Sequence, residues 1–204
     1  MRGDPRAIAL EVFHSNSKAI DTYAEILCGR AIAWGLLGPR EADRVWDRHI
    51  LNSAALAELI PDGSSVVDVG SGAGLPGIPL AILRPDLTIT LLEPLLRRST
   101  FLTEVVDELG LGSRVAVVRE RAEDHKGRYD VVVARAVAPL DGLIRWCDSL
   151  RRPGGVLLAL KGDNAEADMA QAAKALRSRG LRAELVLAQA HPEVDAARVV
   201  RVTR

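Results

Sequence analysis

The residues best suited to chemistry in this chain are four glycines that follow a short run of β-branched residues. The segment 66–79 reads VVDVGSGAGLPGIP, which predicts a strand that runs into a sharply turning loop. Glycine lacks a Cβ, so its backbone accepts tight turns and lets a phosphate or a nucleoside come close. The sequence therefore predicts a site for a nucleotide-like ligand. The four glycines are Gly70, Gly72, Gly74 and Gly77.

This glycine loop fits two cofactor-binding patterns. The run Gly-x-Gly-x-x-Gly that begins at Gly72 matches the dinucleotide fingerprint, which indicates hydride transfer with NAD. The run Asp-x-Gly-x-Gly-x-Gly that begins at Asp68 matches the loop of S-adenosylmethionine-dependent methyltransferases. Glu93 ends the next predicted strand, and a carboxylate there accepts hydrogen bonds from ribose hydroxyls. Both cofactors carry such a ribose, so Glu93 does not choose between them.

Cations stand at the ends of two later predicted strands. Arg135 follows the strand predicted over 129–134, and Lys161 ends the strand predicted over 155–161. A cation at the end of a buried strand is costly without a partner, unless its side chain extends to solvent. Two such cations beside the glycine loop favour a phosphate or a nucleobase as the ligand.

A third motif, Arg121-Ala122-Glu123, follows the strand predicted over 114–119. In a functional interpretation, its backbone and acidic side chain contact the adenine of a cofactor at the carboxyl edge of the sheet. In a structural interpretation, Glu123 and Asp124 begin a helix, a position that acidic residues prefer. The spacing alone does not distinguish the two.

Strands and helices alternate from Ser64 onward, which predicts a parallel sheet with helices on both faces. No helix fits between the last two strands, so we expect them to form an antiparallel hairpin. The predicted fold class is therefore α/β: a seven-stranded, Rossmann-like sheet with a reversed last strand, as in class I methyltransferases. The predicted strands are 65–70, 87–93, 114–119, 129–134, 155–161, 183–190 and 197–203, and the predicted helices are 77–84, 95–110, 139–150 and 164–179.

Residues 1–60 are predicted to form a helical N-terminal cap on a second domain, residues 61–204. Apolar residues spaced by three and four indicate one helix near 20–31, and a second helix is predicted over 41–59. Basic residues of this second helix indicate either a stripe that faces nucleic acid or a solvated face with acidic partners. The basic residues are Arg40, Arg44, Arg48 and His49, and the acidic ones are Glu41, Asp43 and Asp47.

Composition limits the possible partners. The 204 residues carry a formal net charge of zero, so a nucleic-acid partner would need a local basic face. The apolar runs are too short to span a membrane, and no secretory signal is evident. Cys28 and Cys147 belong to no Cys/His cluster, and we expect both to be buried small hydrophobic residues. We therefore expect a cytoplasmic, metal-free protein, and a monomer because no heptad or exposed apolar edge is evident.

Residues 68–81, DVGSGAGLPGIPLA, are similar to the signature of the ribosomal small-subunit RNA methyltransferase G family, also called glucose-inhibited division protein B. The Leu-Pro-Gly-Ile-Pro extension is more specific than the glycines. The sequence departs from the family at Asn52, where Asp is usual, and in the loop 35–41, so roles at these positions are not carried over. Further motifs stand in the family's order: Arg48-His49-Ile50-Leu51-Asn52-Ser53, Arg121-Ala122-Glu123, Ala134-Arg135-Ala136 and Leu160-Lys161-Gly162.

The resemblance implies transfer of a methyl group from S-adenosyl-L-methionine to N7 of a guanine in 16S rRNA, near the decoding site. The implied partner is 16S rRNA in the small ribosomal subunit or in an assembly intermediate. By the resemblance, Gly70 and Leu75 line the cofactor, while Arg135 lies between the cofactor and the base. Ala122 and Glu123 would meet the adenine. The cofactor site so predicted comprises Asp68, Gly70, Gly72, Leu75, Glu93, Ala122, Glu123 and Arg135.

The N7 lone pair of guanine attacks a methyl group without losing a proton, so we expect no general base. The rate would come from in-line positioning of the two bound partners. Arginine usually binds both O6 and N7 of guanine, which would occupy the nucleophile. We therefore expect the predicted catalytic residues to hold O6 or flanking phosphates. These residues are Arg121, Arg135 and Lys161.

Three alternatives remain at this point. An NAD-dependent oxidoreductase would share the glycine loop, but it would need a proton-relay pair, and Tyr129 has no Lys partner in the sequence. A non-enzymatic RNA-binding protein with a relic loop is disfavoured by the intact Asp68, Glu93, Arg135 and Lys161. A methyltransferase for a small molecule is the third, since zero net charge does not demand RNA.

Overall fold

The computed structural model describes residues 3–135 and 138–204, and a seven-stranded sheet lies at its centre. Met1 and Arg2 of the predicted cap, and Ala136 of the Ala-Arg-Ala motif, lie outside the described residues. The strands are β1 (Ser65–Val69), β2 (Thr88–Leu92), β3 (Val115–Val118), β4 (Tyr129–Arg135), β5 (Arg151–Lys161), β6 (Arg182–Ala188) and β7 (Ala197–Thr203).

The order of strands in the sheet is β3-β2-β1-β4-β5-β7-β6. β1 pairs in parallel with β2 and with β4, so the carboxyl ends of these strands meet at one edge. β7 runs antiparallel to both β5 and β6, which confirms the predicted reversal of the last strand. The predicted seven-stranded α/β fold is thus confirmed, and β5 begins four residues earlier than the sequence predicts.

Helices precede the sheet and then alternate with its strands, as predicted. They cover the sheet because their apolar faces match its apolar residues. The helices are α1 (Pro5–Phe13), α2 (Ser17–Ile26), α3 (Asn52–Ala54), α4 (Gly77–Leu83), α5 (Leu96–Glu108), α6 (Leu140–Cys147) and α7 (Ala165–Ser178).

The single helix predicted over 41–59 is wrong. A 3₁₀ turn covers Pro39–Arg44, a π helix covers Val45–Leu51, and α3 and another 3₁₀ turn follow. Residues 49–51 are buried in succession, which is a wider inward face than regular α-helical spacing gives. The four-residue spacing of the arginines therefore does not place them on one helix face.

Two apolar clusters form the core, one on each side of the sheet. Val66 belongs to the first cluster, whereas Val67 and Val69 belong to the second, because successive side chains of a strand point to opposite faces. Residues of α2, such as Ile20, join the first cluster together with residues of β1. The N-terminal helices therefore share a core with the sheet, and the boundary between residues 60 and 61 stays a prediction.

Polar contacts also attach the N-terminal segments to the sheet half. The Asn16 side-chain amide donates to the Ile82 carbonyl at 2.8 Å, and the Arg84 guanidinium donates to the Ala57 and Ile60 carbonyls at 2.7 and 3.0 Å. These bonds satisfy carbonyls at the ends of short helical segments.

Two further expectations concern the membrane and the cysteines. No helix among the described residues is long and apolar enough to cross a membrane. Cys147 is buried, as expected, but Cys28 is exposed, so that expectation is wrong for Cys28. Cys28 follows the fully buried Leu27 in a π-helical turn, Leu27–Ala31, and its side chain is on the exposed side of this turn.

Candidate functional site

The glycine loop leaves β1 at the carboxyl edge of the sheet and turns back at once. The Gly70 amide donates to the Leu92 carbonyl at 2.8 Å, so the loop begins hydrogen-bonded to the end of β2. Gly70, Gly72 and Gly74 have φ angles of 71°, 57° and 100°, a region that favours glycine. The space beside Gly72 is open, since a Cβ there would meet nothing closer than 3.8 Å. The loop therefore offers its backbone to a ligand at Gly72.

Gly77 has a different purpose, because it lets α4 approach the sheet closely. A Cβ on Gly77 would lie 2.4 Å from the Leu91 side chain and 2.8 Å from Oδ2 of Asp68. The Gly77 amide donates to that same Oδ2 at 3.0 Å. Asp68 thus fixes the first turn of α4 against β1.

Asp68 is fully buried, and its second carboxyl oxygen, Oδ1, has no hydrogen-bond partner among the described residues. Burial raises the pKa of Asp68 to about 7, although the hydrogen bond from Gly77 opposes the rise. An unsatisfied buried carboxyl oxygen is costly unless a donor or a cation completes it. Asp68 therefore suits a ligand that brings a positively charged group.

Glu93 connects the end of β2 to the glycine loop. One carboxyl oxygen accepts from the Gly72 amide at 3.0 Å, and the other accepts from the Leu95 amide at 3.1 Å. Each carboxylate oxygen has two lone pairs, so both retain capacity for ribose hydroxyls. The structure thus brings Glu93 and Gly72 together, as a cofactor site at this edge requires.

Ala122 and Glu123 line a small cavity next to Gly70, together with Arg121. Ala122 is buried, whereas Arg121 and Glu123 are exposed in a turn that does not begin a helix. Leu92, Pro94 and Trp146 complete much of the lining. This apolar wall suits a planar base, and the sequence did not indicate Pro94 or Trp146 as part of it.

Tyr23 of α2 connects the N-terminal helices to the glycine loop. Its ring is fully buried, and its hydroxyl donates to the Ala73 carbonyl at 2.9 Å. Burial raises the pKa of Tyr23 well above its ordinary value, and the nearby Asp68 adds to the rise. The sequence placed Tyr23 only on an apolar helix face; the phenol oxygen, which needs a partner when buried, was the missed signal.

Arg135 ends β4 on the side of the N-terminal segments. Its guanidinium bonds to Nδ1 of His49 and lies 3.5 Å from the His49 carbonyl. Its charge also acts on Tyr23 and Asp68, which lie at the glycine loop. Arg135 is therefore coupled to both the cofactor loop and the π helix.

His49 is 3 % exposed and accordingly belongs to neither the solvated face nor the basic stripe. Its Nε2 lies 2.7 Å from a Glu41 carboxyl oxygen, and Arg48 approaches Glu41 at 3.7 Å. Glu41 and Arg48 therefore pair, but Glu41 belongs to the 3₁₀ turn and Arg48 to the π helix, so the intrahelical pairing predicted for this segment is wrong for them.

Lys161 ends β5 and is held by two acceptors. Its ammonium donates to the Ala138 carbonyl at 2.9 Å and pairs with Asp168 at 2.6 Å. The other Asp168 oxygen accepts from the Leu140 amide at 2.9 Å. Asp168 therefore orients Lys161, and no sequence signal indicates this role beyond an acidic residue early in α7.

Lys161 also lines a crevice between the N-terminal segments and the β6–β7 connection, here named the cap crevice. The cap crevice has a volume of about 440 Å³. Among the described residues, four cations and four acidic residues lie along it. These cations are Arg44, Arg48, Lys161 and Arg198.

The predicted site residues thus fall into three groups along one edge of the sheet. Arg121 lines the small cavity with Ala122, Arg135 bonds to His49, and Lys161 lies in the cap crevice. Leu75 is buried within the first apolar cluster. No cluster of histidine, cysteine and acidic residues suited to a metal occurs in residues 3–135 and 138–204.

Known proteins share both the sequence and the fold. A family model, GidB, rRNA small subunit methyltransferase G, matches residues 16–195. A protein of Mycolicibacterium smegmatis named "Ribosomal RNA small subunit methyltransferase G" is 55 % identical over 181 residues, covering 86 % of this chain and 76 % of its own length. A protein of the same name from Thermobifida fusca is 51 % identical over 202 residues, covering 98 % and 85 %.

Solved structures agree at the level of the fold. The precorrin-6y C5,15-methyltransferase of Geobacter metallireducens superposes with a TM-score of 0.56 at 15 % identity, over 83 % of this chain and 90 % of its own. The ribosomal protein L11 methylase of Lactobacillus delbrueckii subsp. bulgaricus gives 0.57 at 19 % identity, over 74 % and 76 %. The sheet is therefore that of the class I methyltransferases, and by its sequence the chain belongs to the ribosomal RNA small subunit methyltransferase G family.

Proposed function

We propose that this protein transfers a methyl group from S-adenosyl-L-methionine to N7 of a guanine in the 16S rRNA of the small ribosomal subunit. The observation that supports it best is the buried, half-satisfied Asp68 carboxyl at the glycine loop, on which the charge of Arg135 acts. A cofactor whose methionine end carries an ammonium and a carboxylate suits this pair. The pyrophosphate of a dinucleotide would instead meet a buried carboxyl, so NAD is disfavoured.

The cofactor site follows from the geometry of the loop and its neighbours. Glu93 would accept the ribose hydroxyls, while the loop backbone around Gly70 and Gly72 would lie along the ligand. Ala122 and Glu123 would meet the adenine in the small cavity that Trp146 also lines. Leu75 would anchor the glycine loop by packing in the first apolar cluster.

S-adenosylmethionine, when bound, supplies a methyl group on a positively charged sulfur. The guanine N7 has a free lone pair, so the protein needs no general base, and the site requires only in-line alignment. Arg135 and Lys161 would hold O6 or a phosphate and leave N7 free, with Arg121 at the adenine side. The target base must be unpaired or extruded to reach this edge of the sheet.

The partner would be the small subunit or an assembly intermediate, and we propose that the enzyme acts on it as a cytoplasmic monomer. The relatives carry the name of a ribosomal RNA small subunit methyltransferase, which supports RNA over a small molecule as the substrate. The crevice cations Arg44 and Arg48 would contact phosphates individually, because acidic residues such as Asp47 and Asp163 share the crevice and leave it without an excess of positive charge.

The decisive experiment maps methylated guanines by mass spectrometry in 16S rRNA from cells that lack this protein. We expect one N7-methylguanine to be absent and to return when the purified enzyme and cofactor act on isolated 30S subunits. An unchanged methylation map would refute the proposal. A thermal-shift comparison of S-adenosylhomocysteine with NADH tests the cofactor separately, because a ligand that binds the folded state raises its melting temperature.

A further inference from the structure

Arg135 is a cation without an ion-pair partner among the described residues. Its guanidinium is half-buried, and no carboxylate of residues 3–135 and 138–204 lies within salt-bridge distance. Burial accordingly lowers the pKa of Arg135, although an arginine stays protonated. A partly buried cation without a counter-charge is suited to attract an anionic or electron-rich group of a ligand. A neutral hydrogen-bond acceptor is then needed to fix the orientation of the guanidinium.

His49 provides that neutral acceptor. Its Nε2 faces a Glu41 carboxyl oxygen at 2.7 Å, so this nitrogen carries the proton and donates it. Nδ1 is then the unprotonated nitrogen and accepts from the Arg135 guanidinium. Burial and the nearby Arg135 charge lower the pKa of His49, which keeps the imidazole neutral. Glu41 thus selects the tautomer that holds Arg135.

We infer that His49, oriented by Glu41, is the positioning residue for Arg135 in the methyl-transfer site. The chain Glu41–His49–Arg135 runs from the N-terminal segments to the end of β4 and holds the guanidinium there, where its charge acts on Asp68. His49 touches neither cofactor nor base in this arrangement and acts through Arg135. The inference rests on the proposed function, in which Arg135 lies at the methionine end of the cofactor and holds O6 or a phosphate of the RNA.

Two substitutions separate the two nitrogens of His49. In His49→Asn, the side-chain oxygen takes the place of Nδ1 and still accepts from Arg135. In His49→Gln, the side-chain amide takes the place of Nε2, so it reaches Glu41 but leaves Arg135 without its acceptor. The initial rate of tritium transfer to 30S subunits from cells lacking this enzyme gives the readout. We expect His49→Gln to lower kcat/KM about 10- to 100-fold and His49→Asn to stay within about threefold, because misplaced groups cost rates of this order.

A double-mutant cycle distinguishes positioning from general support of the fold. A lysine at position 135 cannot make the two contacts with His49 that the guanidinium makes. Adding His49→Gln to Arg135→Lys should therefore lower kcat/KM by less than about twofold. Additive losses in the cycle, or equal rates for the Asn and Gln variants, would overturn the inference. Melting temperatures show whether each variant is folded. If His49→Gln does not fold, Glu41→Leu replaces it in the cycle, and its effect on kcat/KM should likewise fall below about twofold in the Arg135→Lys background. A wild-type enzyme that methylates no guanine on 30S subunits would refute the proposed function instead.

Discussion

At the scale of single residues, the unsatisfied oxygen of Asp68 makes cofactor binding depend on pH. Burial raises the pKa of Asp68 to about 7 from its ordinary value near 4, so the free carboxyl is mostly protonated at pH 6. A bound ammonium favours the ionised form. We therefore expect the affinity for S-adenosylhomocysteine to rise about tenfold from pH 6 to pH 8, measured by calorimetry.

Asp68→Asn supplies the control for this prediction, because its amide does not ionise in this range and its oxygen still accepts from Gly77. Its affinity should be lower at pH 8 and nearly constant with pH. The stability of the ligand-free protein changes with pH in the opposite direction. The folded state retains a proton on Asp68 that the unfolded chain releases, so the free energy of unfolding falls as the pH rises from about 4 to 7. A cofactor affinity of Asp68→Asn that still rises tenfold would contradict the assignment.

Lys161 illustrates a cation that the fold orients in advance. Asp168 and the Ala138 carbonyl hold its ammonium, leaving a third donor position toward the crevice. We expect Lys161→Ala to lower kcat about 10- to 100-fold while the dissociation constant of S-adenosylhomocysteine changes less than about threefold. Asp168→Asn should give an intermediate loss, since its oxygen can still accept from Leu140.

Lys174 provides a matched control on the same helix, because it is exposed on α7. Lys174→Ala should transfer methyl groups at the wild-type rate. Full methylation by Lys161→Ala in the tritium-transfer assay would show that its assigned role is wrong.

At the scale of elements, α2 stabilises the glycine loop through one hydroxyl. Tyr23→Phe would leave the buried Ala73 carbonyl without its donor, at a cost of about 1 kcal/mol in unfolding free energy. We expect the affinity for S-adenosylhomocysteine to fall severalfold as the loop loosens, measured by calorimetry beside a urea titration. Tyr129→Phe removes a hydroxyl that bonds to His125 instead, and its cofactor affinity should not change.

Elements with a strong periodic signal could be predicted from the sequence, and those shaped by tertiary contacts could not. The strands are β-branched runs between glycine and proline turns, so β1, β2 and β7 lie within two residues of their predicted bounds. The region 41–59 keeps a helical composition, yet it forms π and 3₁₀ turns in which His49 is buried against Arg135 at the end of β4. Sequence periodicity records which residues are apolar and contains no signal for a distant acceptor.

Prediction of the site from the sequence is limited in the same way, because local patterns do not reveal tertiary partners. Glycines, Glu93 and the cations at strand ends were predictable because they lie on one edge of a parallel sheet. Tyr23 reaches the Ala73 carbonyl fifty positions away, whereas Glu41 and Asp168 contact His49 and Lys161 at spacings of eight and seven that cross from one element into another. Nothing in the local pattern of such residues reports the partner that the fold brings to them.

At the scale of the whole molecule, zero net charge limits how the protein attracts RNA. Affinity must come from local cations such as Arg44 in the cap crevice, and each phosphate contact contributes about one unit to the slope of log affinity against log salt. We expect Arg44→Ala to reduce that slope by about one for 30S binding. Arg152→Ala, which removes a cation paired with Asp130 at 2.9 Å near the amino ends of the strands, should leave the slope unchanged.

The position of β7 has a consequence for how the molecule is made. β7 follows β6 along the chain but lies between β5 and β6 in the sheet, and among the described strands β6 pairs with β7 alone. As the chain leaves the ribosome, β6 therefore has no place to dock until residues 197–203 have been synthesised. Loss of residues 197–203 would also leave β6 without its partner strand, so the synthesis of β7 decides whether both strands join the sheet.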